Sequence, residues 1–251
     1  MLDLAGIGVG PMNLSLAALA APIADIRSSF FERHSEFRWH DGLLLESSDL
    51  TVHYLKDLVT LADPCSPYSF IAYLHQQGRL FQFISAHQGA VGRVSRQEYH
   101  QYFADVARRL PNIHFAQPID SISYQGDYFL LNNRVAARNI ALGIGRQPYI
   151  PDFCRPHLGE RVVSALDYLH VKPDSKGKRV VVAGGGLSAA ELVHHLLHDA
   201  NLEPSELIWI CPRTILWPQD DAPFSNEMYA PRYVEFFYGL PAWGGEEILN
   251  E

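Results

Sequence analysis

The stretch Asp3-Leu4-Ala5-Gly6-Ile7-Gly8-Val9-Gly10-Pro11-Met12-Asn13-Leu14-Ser15-Leu16-Ala17-Ala18-Leu19 decides the fold. An apolar strand from Leu2 to Ala5 runs into a glycine-rich turn, and an alanine- and leucine-rich helix follows. That order opens a βαβ unit for a dinucleotide. Gly8 and Gly10 let the backbone approach a pyrophosphate, and the amides at the helix N-terminus face its charge. Counted from Gly8, Asn13 takes the place of the third glycine in Gly-x-Gly-x-x-Gly. Pro11 suits the first helical turn, where its missing N–H has no partner to lose. A tight turn without a ligand uses the same residues, so the next segment matters.

After Pro22, Ile26 to Phe31 reads as a second strand, with Glu32 at its end. An acid about twenty residues past the glycines accepts hydrogen bonds from the adenosine ribose hydroxyls. A solvated strand-end glutamate is the competing reading of Glu32.

The chain has 251 residues and a net charge of -8. That length holds one large domain or two small ones. No basic stripe points to nucleic acid, and no apolar run is long enough for a bilayer. The first strand is expected from residue two, so no signal peptide is expected. Cys65, Cys154 and Cys211 are far apart and odd in number, as expected of reduced thiols in the cytoplasm.

From Phe37 to Pro67 the chain is irregular, aromatic and apolar with isolated polar groups, the composition of a site-lining loop. It contains Trp39-His40-Asp41-Gly42-Leu43-Leu44 and Leu55-Lys56-Asp57-Leu58-Val59-Thr60-Leu61-Ala62-Asp63-Pro64. With the Gly8-Val9-Gly10-Pro11-Met12-Asn13-Leu14 opening, these blocks resemble the flavin-dependent lysine N6-/ornithine N5-monooxygenases of siderophore biosynthesis. The family usually has proline where Asp41 stands. The resemblance implies FAD contacts from the opening turn, Glu32, Trp39 and His40.

Further along, Ser66 to Arg79 reads as a helix stopped by Gly78. Ser95 with Glu98 predicts a capping box on a helix that runs to about Leu110. Ile84 to Val94 departs from the family pattern. Ile113 to Phe115, Ile119 to Tyr124 and Tyr128 to Leu131 read as a small antiparallel element inserted in the first domain. Asn139 to Leu142 then enters Gly143-Ile144-Gly145, and Pro148 and Pro151 mark a linker.

The second glycine turn follows a buried-strand pattern at Arg179 to Ala183. Gly184, Gly186 and Ala189 fit Gly-x-Gly-x-x-Ala, and a helix runs to about His198. Leu187 stands where the family usually carries glutamine, while Ser188-Ala189-Ala190-Glu191 agrees with it. The next strand, Glu206 to Cys211, ends in Pro212-Arg213. Arg213 suits the 2′-phosphate of NADPH, because a guanidinium bonds phosphate with two parallel N–H groups; a surface turn arginine is the alternative. His194 and His198 share a helix face, but no third ligand accompanies them, so no metal is expected.

Two dinucleotide turns, the flavin type first, argue for hydride transfer from NADPH to FAD. The expected architecture is α/β with two Rossmann-like domains: an FAD-binding domain over 1–150, carrying the antiparallel insertion, and a partial NADPH-binding domain over 151–216. Residues 217–251 would begin a substrate-side segment, since Asp220-Asp221-Ala222-Pro223-Phe224-Ser225-Asn226-Glu227 resembles the family's block there. Family members continue past the point corresponding to Glu251, so the C-terminal part of the fold is expected to be missing.

The resemblance implies that reduced flavin takes O2 to a hydroperoxide and that the neutral side-chain amine of lysine, ornithine or a related diamine attacks it. Lys56 matches the family lysine that pairs with the substrate α-carboxylate, and Asn226 matches the asparagine beside the reacting amine. Each has a plainer reading, as a solvated helix lysine and a helix cap. Asp57 and Asp63 are expected to fix turns, and His53 to stand by. Two other readings remain. One is an inactive truncated member that binds nucleotide at most, with exposed apolar faces that favour homo-oligomers. The other is a disulfide reductase, which lacks the Cys-x-x-Cys it would need.

Overall fold

In the computed structural model, the described residues are 1–86, 94–145, 147–212, 214, 216, 227–228 and 230–241. They fall into two compact units, Met1–Pro212 and Arg213–Glu251. The first unit opens with β1 (Leu2–Ile7), α1 (Pro11–Ala20) and β2 (Ser28–Phe31). After a long irregular segment come α2 (Phe70–Gln76), α3 (Leu80–Ala86), α4 (Arg96–Arg109) and β3 (Ile113–His114). Strands β4 (Ile122–Tyr124), β5 (Phe129–Leu131) and β6 (Val135–Leu142) complete a six-stranded sheet of order β3-β2-β1-β6-β5-β4.

The sheet is mixed. β1 pairs in parallel with β2 and β6, and β2 with β3. β6 changes role along its length: Val135 to Ala137 pair antiparallel with β5, and Ala137 to Leu142 pair parallel with β1. The antiparallel element is therefore an extension of the main sheet. Ile113 and His114, expected within it, instead form the parallel edge beside β2. Strand alternation then sorts the core. Ala5 and Ile7 face Phe31, Leu131 and Ala137 on one side. On the other side α1, α2 and α4 pack Leu14, Phe30, Phe70, Tyr99 and Tyr102 together. Gly6 lies directly under Phe30, whose ring would stand 2.0 Å from any Cβ there.

Helix α4 shows how the expected capping box changes. Ser95 caps the helix, accepting from the Glu98 amide at 3.1 Å. The Glu98 carboxylate takes both guanidinium arms of Arg79 instead, at 2.9 and 2.7 Å. A charge-assisted fork outcompetes a single bond to a neutral amide.

The remainder of this unit is α5 (Tyr168–Val171), β7 (Arg179–Ala183), α6 (Leu187–His198) and β8 (Glu206–Ile210). β7 and β8 form a parallel two-stranded sheet. The buried-strand expectation for β7 does not hold: Val181 is 55 % exposed, because among the described residues α6 covers only one face. An apolar cluster of Leu43, Leu45, Tyr168 and Leu192 joins this α/β pair to the first sheet's loops. In the second unit, α7 (Pro231–Gly239) carries Arg232 paired with Glu227, and the Tyr233 ring lies 5.7 Å from that of Phe236. No helix among the described residues is long and apolar enough to cross a membrane.

Candidate dinucleotide sites

The first glycine turn sits at the carboxyl ends of β1 and β6, where strand order reverses and an open α/β sheet has its crevice. Gly8 adopts φ +81°, and a Cβ there would come within 2.5 Å of the Gly143 carbonyl oxygen. Gly10 is the N-cap of α1 and Pro11 its first residue. The first-turn amides of α1 have no carbonyl one turn back, which leaves them for an anion.

Glu32 is buried at the end of β2. Its Oε2 accepts from the Val9 amide at 2.8 Å, and Oε1 accepts from the His34 amide at 3.0 Å. The carboxylate thus fixes the turn itself. Each oxygen has a second lone pair, so it can still accept a ribose hydroxyl. Asn13 is 5 % exposed. Its Nδ2 faces three carbonyls: Gly8 at 2.8 Å, Ala141 at 3.2 Å and Ile7 at 3.3 Å. The asparagine in the third fingerprint position ties the turn to β1 and β6. Gly143 makes room for it, since a Cβ there would lie 2.4 Å from Nδ2. These features fit a bound dinucleotide: a cradle without side chains, a helix N-terminus and an acceptor at the strand end.

The segment after β2 is held to the sheet by aromatic packing. The Trp39 ring is half-buried and meets Phe103 edge-on at 5.1 Å. His40 is exposed, in a left-handed conformation (φ 52°), and caps a short 3-10 turn over Asp41–Leu43. Lys56 is half-buried in a turn, not a helix, with its amide bonded to the His53 carbonyl at 2.9 Å. Asp57 organises that turn. Its carboxylate accepts from the amides of Val59, Thr60 and Phe70 and from the Thr60 hydroxyl, all between 2.7 and 3.0 Å. Asp63 accepts from the Cys65 amide. Both acids fix turns, as their positions suggested.

At the second turn, Gly184 has φ +142°, with the Ala189 methyl 3.4 Å from where its Cβ would stand. Gly186 caps α6, and Ser188 lies in its first turn. The Trp209 indole donates to the Gly184 carbonyl at 2.7 Å. His194 and His198 are stacked at 4.1 Å, and Nδ1 of His198 is bonded to the His194 carbonyl. Arg213 and Asn226 lie outside the described residues.

The geometry is that of two dinucleotide turns, each at the end of a strand with a parallel neighbour. The family model for L-lysine 6-monooxygenase/L-ornithine 5-monooxygenase matches residues 1–251. The chain belongs to this family. It is 34% identical over 261 residues to the L-lysine N6-monooxygenase of Escherichia coli, covering 99% of the chain and 59% of that protein. It is 34% identical over 258 residues to a putrescine N-hydroxylase of Acinetobacter baumannii, covering 99% and 57%. The FAD-bound cadaverine monooxygenase from Erwinia amylovora superposes with a TM-score of 0.87 at 32% identity, over 98% of the chain and 60% of that structure. An ornithine N-hydroxylase from Kutzneria with reduced FAD, NADP+ and L-ornithine gives 0.85 at 31% identity, over 98% and 62%. The chain thus spans about three fifths of these relatives' length.

One feature of this N-hydroxylase family chain was invisible to motif reading. Arg96 and Glu191 form a two-armed ion pair, Nη1 to Oε2 and Nη2 to Oε1, both 2.9 Å. Their side chains are only 11 % and 13 % exposed. Burial pushes the Glu191 carboxyl up, and the Arg96 charge pulls against it. Glu191 closes the Ser188-Ala189-Ala190-Glu191 run, and nothing local in that run names a partner 95 residues earlier.

Proposed function

We propose that this chain carries the two nucleotide-binding modules of an FAD- and NADPH-dependent N-hydroxylase of the terminal amine of lysine, ornithine or a diamine such as putrescine. The product is the hydroxylamine used in hydroxamate siderophores. The observation that carries this reading is the pairing of two dinucleotide turns in one compact unit, with buried Glu32 set against the first.

In this reading residues 1–150 hold FAD. Gly8, Gly10 and Pro11 give the pyrophosphate a close approach to the α1 N-terminus, Asn13 braces that turn, and Glu32 accepts the ribose hydroxyls. Trp39 and His40 flank the same cofactor. Residues 151–216 hold NADPH, with Gly184, Gly186 and Ser188 at the α6 N-terminus on its pyrophosphate and Arg213 on the 2′-phosphate. When bound and reduced, the flavin supplies the activated oxygen. The protein's part is to present a neutral amine, because an alkylammonium has no lone pair. Asn226, in the 217–251 substrate-side segment, accepts an N–H of that amine. Lys56 pairs with an α-carboxylate, which favours an amino acid over a diamine. The three cysteines are free thiols, in keeping with a reducing cytoplasm.

The test is to purify the chain, measure the FAD it retains, and add NADPH without oxygen. Retained FAD that bleaches, followed by hydroxylamine formation from one of the three amines in air, is the expected result. A chain that retains no FAD, or retains it without bleaching, sinks the proposal and leaves the inactive reading.

A further inference from the structure

We propose that the Arg96–Glu191 ion pair is an orienting latch between the two nucleotide modules. It sets the direction of α6, and with it the second glycine turn, relative to the first module. The inference rests on the reading of the two turns as FAD and NADPH sites.

Both ends of the pair are rigidly mounted. Arg96 is the first residue of α4, whose buried residues Tyr99, Tyr102, Phe103 and Val106 belong to the main core. Its amide donates to the Ser48 carbonyl at 2.8 Å, which fixes its backbone against the loop that follows Gly42. Glu191 is one turn into α6, five residues after the Gly186 cap. A rotation of α6 about this point swings the turn that it caps.

The apolar contacts beside the ion pair hold the modules together without a preferred angle, and the His170 Nε2–Asp41 Oδ2 pair, at 3.5 Å with both side chains exposed, is a single contact. The cluster of Leu43, Leu45, Tyr168 and Leu192 supplies apolar attraction, which has no preferred direction. Gly42 allows a close approach, since a Cβ there would lie 1.8 Å from the Leu166 carbonyl oxygen. A planar guanidinium bonded twice to one carboxylate is different. It fixes distance and rotation together. Burial of such a pair gives little net stability, because desolvation offsets attraction, so its contribution here is geometric. Hydride transfer is sensitive to displacements of the order of 1 Å, which makes a fixed angle worth having.

The experiment compares Glu191→Gln, Arg96→Lys and the double variant Arg96→Met/Glu191→Met, whose apolar pair preserves packing. All are expected to retain FAD like the parent chain and to bleach normally with dithionite. With NADPH, anaerobic bleaching is expected to slow at least tenfold in Glu191→Gln and in the double variant, and less in Arg96→Lys. Independently of any cofactor, amide exchange in α6 and over 164–171 is expected to rise tenfold in Glu191→Gln, while α1 and α4 keep their protection. Bleaching at the parent rate in the double variant overturns the latch, as does unchanged exchange in Glu191→Gln. If the parent chain itself retains no FAD, the functional reading fails and the exchange measurement alone decides the latch.

Discussion

The two glycine turns share a motif and differ in what surrounds them. The first is braced on every side. β1 runs between two parallel partners, Asn13 reaches three carbonyls, Glu32 holds the Val9 amide, and Gly143 closes over Gly8. The second stands on a two-stranded sheet, where Gly184 donates its amide to the Ile210 carbonyl and accepts from the Trp209 indole, and among the described residues no atom lies within 4 Å of a Cβ placed on Gly186. A turn held by its own sheet is shaped before any ligand arrives. A turn on a two-stranded sheet, held through Gly184 by the Ile210 carbonyl and the Trp209 indole, takes more of its direction from how its helix docks, which is where the Arg96–Glu191 pair acts.

Alanine at the two sets of glycines breaks the comparison most sharply. Gly8→Ala forces a left-handed backbone and drives a methyl into the Gly143 carbonyl. It should cost roughly 3 kcal/mol or more and abolish FAD retention. Gly186→Ala meets no neighbour among the described residues and has φ -98°, so its cost should stay at about 0.5 kcal/mol, from the poorer cap alone. Urea unfolding of both variants measures the gap, and equal costs would show that the first turn is no more constrained than the second.

A smaller contrast comes from the side chains that brace each turn. Asn13→Ala removes a buried NH2 that is shared among three carbonyls, of which Ile7 keeps the Gly143 amide, and about 2 kcal/mol of stability should go with it. Trp209→Phe removes one bond at a half-buried indole and should cost about 1 kcal/mol. Denaturant midpoints at constant slope are the measurement. A Trp209 cost that matches the Asn13 cost would mean that the second turn is braced as strongly as the first.

Local pattern made much of this legible. The strand–turn–helix order around Gly8 and around Gly184 lies where chain order predicts it, and the Ser95 cap and the turn-fixing role of Asp57 follow from short-range chemistry. What could not be read depends on distant partners. Asn13 looks like a missing glycine until Ala141 and Gly143 are brought beside it. Ile113 and His114 look like the start of an antiparallel element until β2 pairs with them. Glu98 completes a box on paper, but Arg79 is nearer in charge and geometry. The apolar run of β7 predicts burial, yet burial is set by how many layers cover a strand, and that number is not encoded in the strand.

The finest contrast is in pH. His100, on α4 of the first module, has its imidazole held below the ordinary 6.5, chiefly by burial, against the pull of Asp41 and Glu36. The unfolded chain therefore binds a proton there before the folded chain does, and stability falls as pH drops below 6.5. Glu191, on α6 of the second module, is raised above 4.5, again chiefly by burial. The folded chain binds that proton first, so this group loses stability as pH rises above 4.5 and regains it in acid. These two groups thus respond to mild acid with opposite signs. Thermal melts between pH 8 and pH 5 should show a flatter acid limb for His100→Gln and a steeper one for Glu191→Gln. In a chain of this size 1 kcal/mol is roughly 2–4 °C, so slopes are to be compared, not single midpoints. Limbs that move in the same direction in both variants would mean that His100 and Glu191 do not answer mild acid with opposite signs.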